Sequence, residues 1–119
     1  MVSMLYDRNG VPIENYATLR RKGQTEQFLT AGEFLFEPGP EKWISPITQT
    51  SYRTNWRLAI PAESIDISLK SKNSKSEFLG KLLPVAYWES AVNVTDFASG
   101  EPQGKGFIEL NWAPGRNRG

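Results

Sequence analysis

The stretch Tyr52-Arg53-Thr54-Asn55-Trp56-Arg57-Leu58-Ala59-Ile60-Pro61 decides the fold class. Tyr52, Thr54, Trp56, Leu58 and Ile60 fall on one face of an extended chain, and Arg53, Asn55, Arg57 and Ala59 fall on the other. That period of two is the mark of a half-buried β-strand, and Pro61, which lacks an amide hydrogen, stops it. The next segment repeats the pattern, with Ile65, Ile67 and Leu69 alternating with Asp66, Ser68 and Lys70.

Working outward, the chain reads as further short strands divided by turn residues. Val2, Met4 and Tyr6 open a strand, Asn9-Gly10 provides the strongest local hairpin signal, and residues 13–19 form the return. Phe34-Leu35-Phe36 runs into Pro38-Gly39-Pro40, so that strand belongs at a sheet edge. Trp43-Ile44, held before Ser45-Pro46, is expected to cover the end of a sheet. Residues 70–81 are polar and basic apart from Phe78 and Leu79, which predicts a short edge strand guarded by lysines. Two strong strands at 85–94 and 105–112 close the domain. No segment carries the 3.6-residue period of an amphipathic helix. Many short strands with Gly/Pro turns predict an all-β antiparallel barrel or sandwich. The expected organisation is one domain over residues 1–114, with 115–119 as a flexible tail, because 119 residues suffice for only one core.

Composition limits the chemistry. The charges nearly cancel, 14 basic against 13 acidic, so no global field favours nucleic acid or an anionic membrane. Without Cys or His there is no thiol nucleophile, no imidazole base and no thiolate or imidazole metal site. No cofactor or metal is expected. The start Met1-Val2-Ser3-Met4-Leu5-Tyr6-Asp7 does not read as a signal peptide, and no apolar run approaches membrane-span length, so no membrane insertion is expected and the compartment is either cytoplasmic or left open.

The closing strands hold the candidate site. Tyr87, Glu89, Ala91 and Asn93 share one face and Trp88, Ser90, Val92 and Val94 the other; on the partner strand Phe107, Glu109 and Asn111 oppose Ile108, Leu110 and Trp112. If the Tyr87/Phe107 face lines a cavity, Glu89 and Glu109 become inward carboxylates, which must be paired, hydrogen-bonded or protonated. Arg57 and Arg53 are the candidate partners. Such pairs more often fix strand register than do chemistry, yet either carboxylate is also a candidate general acid. The aromatics Trp43, Trp56 and Trp88 are either core or ligand platform.

Four motifs in order carry a resemblance: Trp43-Ile44-Ser45-Pro46; Tyr52 with Trp56-Arg57-Leu58-Ala59-Ile60-Pro61; Tyr87-Trp88-Glu89-Ser90-Ala91-Val92; and Gly104-Lys105-Gly106-Phe107-Ile108-Glu109-Leu110. Together they resemble the carotenoid 1,2-hydratase and AttH-like family, also labelled hydroxyneurosporene synthases or predicted secreted hydrolases. The resemblance implies a lipocalin-like β-barrel, with this chain similar to most of the second of two tandem barrel domains. It also implies a cavity for apolar, terpenoid or polyene-like molecules. Ser90 stands where that family usually has Gly, and Asn111-Trp112 departs from its closing segment.

The functional expectation is therefore a lipocalin-like module binding a small hydrophobic molecule through Tyr87, Trp88, Trp56, Arg57, Phe107 and Trp43. A cofactor-independent hydratase or isomerase of an apolar isoprenoid-like substrate, with Glu89 or Glu109 as its acid, is the alternative. A third is a structural or protein-interaction domain without ligand. Whether the chain is an enzyme stays open. A barrel short of a strand would leave an unpaired edge, and a homodimer is the expected way to close it.

Overall fold

The computed structural model describes residues 1–7, 9–80 and 86–112. Eleven strands run through them: β1 (Val2–Tyr6), β2 (Pro12–Leu19), β3 (Gln27–Thr30), β4 (Leu35–Pro38), β5 (Lys42–Ile44), β6 (Ser51–Arg53), β7 (Asn55–Ile60), β8 (Ile65–Ser71), β9 (Glu77–Leu79), β10 (Ala86–Asp96) and β11 (Pro102–Trp112). Two short 3-10 turns, Ala31–Glu33 and Pro61–Glu63, are the only helical elements among the described residues. All pairings are antiparallel. The strands form a three-stranded sheet β1-β2-β3, a larger curled sheet β11-β10-β8-β7-β4 with β9 beside the start of β10, and the small hairpin β5-β6. The architecture is an open lipocalin-like barrel: the alternation predicts the antiparallel β class, and the resemblance implies the lipocalin-like form.

The first hairpin differs in detail from a two-residue Asn-Gly turn. Asp7 closes it instead: its Oδ1 accepts from the Asn9 and Val11 amides at 2.8 and 2.9 Å, and Gly10 takes the left-handed φ of 82°. The path from β3 to β4 turns the chain from one sheet to the other. There Glu33 Oε1 accepts from both the amide and the hydroxyl of Thr30, at 3.0 and 2.9 Å, which holds its carboxyl below the ordinary range.

The segment 52–60 is not one continuous strand. It leaves the β5 ladder at Arg53 and joins β4 and β8 from Asn55 onward. At the junction the Thr54 amide donates to the Glu41 carbonyl at 3.1 Å, and Trp56 Nε1 donates to the Arg53 carbonyl at 3.1 Å. The predicted inner face holds across the break, with Tyr52, Thr54 and Ile60 buried and Trp56 and Leu58 half-buried, while the small Ser51 and Ala59 of the other face are buried too. Pro38 sits at the edge position expected for it, paired only toward Trp56 of β7.

Two apolar clusters result. Ala17, Leu29, Phe34 and Ile60 bind the three-stranded sheet to one end of the larger one. Tyr52, Trp88, Val92 and Ile108 fasten the β5-β6 hairpin to β10 and β11 at the other. Tyr52 and Trp88 are completely buried, with rings 6.4 Å apart, and Trp43 stacks on the far side of Tyr52 at 6.3 Å. Burying each of these two rings contributes roughly 2–3 kcal/mol. The inner face of β10 is thus Trp88, Ser90 and Val92, and Gly106 of β11 lies opposite Val92 where a Cβ would meet its Cγ2 at 3.1 Å. The tail at 115–119 lies outside the described residues.

Candidate functional site

Between the two clusters the barrel interior is not filled. A cavity of about 450 Å³ lies at the seam where β1 and β11 face one another without sharing a ladder. Its floor is Phe36 of β4, Trp56 and Leu58 of β7 and Leu69 of β8, and its two lips are β1, with Met1, Val2, Met4 and Tyr6, and residues 106–111 of β11. Residues from both faces of β11 line it, so the cavity runs along that strand's edge as well as under its inner face. The floor is rigid: Phe36 and Trp56 stack at 4.7 Å with an interplanar angle of 11°. Tyr6, Glu109 and Asn111 bring polar groups to the lips, and the Asn111 amide donates to Glu109 Oε1 at 2.9 Å. An apolar chamber with a few polar groups at its mouth suits a small hydrophobic molecule.

Of the eight residues singled out from the sequence, the cavity brings together Trp56, Phe107 and Glu109. Trp88 and Trp43 belong to the aromatic core around Tyr52. Trp88 Nε1 is satisfied there by the Ser74 carbonyl at 2.8 Å. Tyr87 lies on the opposite face of β10 and stacks on Phe78 at 5.3 Å. Glu89 shares that face and stands directly across the ladder from Glu109, so two carboxylates oppose each other. Neither is met by Arg57 or Arg53. Arg53 donates to the Gly39 carbonyl at 2.9 Å. Arg57 forms a two-pronged pair with Asp66 at 2.9 and 2.8 Å, with its guanidinium 3.7 Å from the Phe97 ring centre. The hydrogen bonds from Arg57 hold the Asp66 carboxyl below its ordinary value.

A second carboxylate escapes the sequence reading. Glu77 of β9 accepts from the hydroxyls of Ser45 at 2.5 Å, Tyr52 at 2.6 Å and Thr48 at 2.7 Å. Burial pushes its pKa up, but the three hydroxyl donors outweigh that and leave it lowered. Ser45 Oγ also accepts from the Ile47 and Thr48 amides, both at 3.1 Å, so the turn between β5 and β6 is organised around this one carboxylate. Its donors come from residues 45–52, some thirty positions earlier. The only hint in the sequence is a Glu beside the apolar pair Phe78-Leu79 within a basic stretch. Glu77 does not line the cavity, and its role is to seat the hairpin on β9.

Among the described residues no group of three or more acidic side chains is placed to hold a metal, and no helix is long and apolar enough to cross a membrane.

Comparison with known proteins places this architecture. No curated protein matches the chain. The crystal structure of a protein assigned as AttH from Nitrosomonas europaea superposes with a TM-score of 0.75 over 91% of this chain, at 24% identity. This chain covers 32% of that one, so it spans about a third of its length, and the likeness establishes the fold. A family model described as AttH-like matches residues 1–112, which takes in every described strand, and the chain therefore belongs to the AttH-like family.

Proposed function

We propose that this chain is a binding module for a small hydrophobic molecule of terpenoid or polyene-like shape, held in the seam cavity between β1 and β11. The observation that carries this reading is the cavity itself. About 450 Å³ of space is floored by Phe36, Trp56, Leu58 and Leu69 in a domain whose remaining large inward side chains are packed. That volume lies within the range of small-molecule pockets, and desolvating an apolar ligand there supplies the affinity. The rigid Phe36–Trp56 stack offers a flat surface to a planar conjugated chain. Tyr6, Glu109 and Asn111 would orient a polar end group at the mouth.

Titration with a long-chain polyene alcohol and with a fatty acid, read by quenching of tryptophan emission and by loss of that quenching in Trp56→Phe, tests the reading. Saturable binding is expected for at least the polyene. Met4→Glu, which puts a carboxylate at the apolar lip, should weaken binding at least about tenfold. A cavity that takes up neither ligand would leave the structural-domain reading in place.

One observation favours chemistry as a second reading: Glu109 lines the cavity, whereas Glu89 does not. A hydratase or isomerase of an apolar substrate would need a proton donor there, and Glu109 is the carboxyl within reach. Turnover of an isoprenoid-like alkene that is abolished by Glu109→Gln, with binding retained, would establish it.

A further inference from the structure

The free edge of β11, which is also one lip of the seam cavity, carries features that the packing of one chain does not explain. Phe107 is 62% exposed on the face away from the core. Glu109 is directly opposite Glu89 on β10, and like charges facing across a ladder are destabilising. Among the described residues neither carboxylate has an ion-pair partner, and Lys105, exposed on the same face as Glu109, has none either. β11 pairs only with β10, so one row of its backbone donors and acceptors has no ladder among the described residues.

We infer that β11 is a dimer interface, along which two copies of this chain pair antiparallel with the two-fold axis at Phe107. That register is written in the strand. With Phe107 opposite the partner copy's Phe107, residue numbers across the interface sum to a constant, so each Lys105 faces a Glu109 and each Gln103 faces an Asn111. The central pair is aromatic, and it is flanked on both sides by opposite charges. Each Lys105 would also sit next to the Glu109–Glu89 pair, supplying a cation that no described residue of the single chain brings to it. On the inner face the same register sets Ile108 against Gly106 and Leu110 against Gly104. At Gly104 no atom lies within 4 Å of where a Cβ would stand, which leaves room for the incoming leucine. Joining the two sheets would bury that edge and make the partner copy's β11 part of the cavity mouth, between β11 and β1. A register slip by one residue would set Phe107 against Gly106 or Ile108, turn the matched faces apart and lose both ion pairs, so this pairing is favoured.

The test exploits the absence of cysteine from the chain. In the proposed register the two copies of residue 107 are a directly opposed pair, about 4.5–5.5 Å apart at Cα, within disulfide reach. Phe107→Cys should therefore oxidise readily to a covalent dimer. Gln103→Cys, whose two copies lie eight residues out of step, should not. By sedimentation equilibrium the unmodified chain should be a dimer. Lys105→Glu and Glu109→Lys should each raise its dissociation constant at least about tenfold, and the double exchange should restore it. Far-ultraviolet circular dichroism of the single variants checks that the strands persist. A monomeric wild-type chain, single charge variants that dimerise like wild type, or cross-linking at 103 as fast as at 107 would each overturn the inference. None of these results depends on a ligand, so the inference and the binding proposal fail separately.

Discussion

Glu77→Ala should be the most damaging single polar substitution in the described structure. In the native chain the carboxylate accepts three hydroxyl hydrogen bonds, at 2.5, 2.6 and 2.7 Å, two of them from Ser45 and Tyr52, which are fully buried. Hydrogen bonds to a charged group contribute about 1.5–3 kcal/mol each, but Glu77 is only partly buried and water can replace some of what is lost. Discounting to about 1 kcal/mol per bond gives a loss of about 3 kcal/mol, or a fall in Tm of roughly 12 °C for a domain of this size. Glu77→Gln keeps the shape, and a hydroxyl can turn to accept from the amide, so about half that loss is expected. The sign of the pH dependence follows from the lowered pKa. Ionised Glu77 stabilises the fold fully above the ordinary value of 4.5, and that contribution disappears as pH falls through the lower folded value. Urea unfolding followed by tryptophan emission at neutral and acidic pH measures both effects. A Glu77→Ala chain within 1 kcal/mol of wild type at neutral pH, or a gap to Glu77→Gln that does not narrow in acid, would refute the reasoning.

Two further outcomes follow from the packing. Gly106→Ala places a methyl 3.1 Å from Cγ2 of the fully buried Val92, so overpacking of about 1–2 kcal/mol outweighs the smaller entropic gain of replacing glycine in a strand. Its urea midpoint should fall. Asp66→Asn removes the charge that Arg57 grips, and should lower the urea midpoint at neutral pH. Because the Asp66 pKa is lowered from 3.8, the difference from wild type should vanish once the pH drops through the folded value.

Much of the fold was legible because half-buried strands write a period of two. The face Tyr52, Thr54, Trp56, Leu58, Ile60 was readable even though the chain changes sheets at Thr54, since its large side chains all turn to the core or the cavity. The four motifs placed the family for the same reason, as they are the pieces that build the aromatic core and the closing hairpin. The site was read less well. Both faces of β10 mix aromatics with small and polar residues, so Tyr87/Glu89 and Trp88/Ser90 compete on equal terms until the β5-β6 hairpin lays Tyr52 over Trp88. Arg57 was free to be assigned to Glu89 because its true partner, Asp66, is fixed by the register of β7 on β8. The resemblance implied a cavity, but its place was not legible, since it lies where Met1 to Tyr6 and residues 106–111 face each other without a shared ladder.

The most direct test of the binding account is amide mapping of the isotope-labelled chain by nuclear magnetic resonance while a long-chain polyene alcohol is added. Shift changes should concentrate in residues 1–6 and 106–111 and at Phe36, Trp56, Leu58 and Leu69, the lips and floor of the cavity. Changes confined to the Arg57–Phe97 face or to the β5-β6 hairpin, or no changes at saturating ligand, would contradict it.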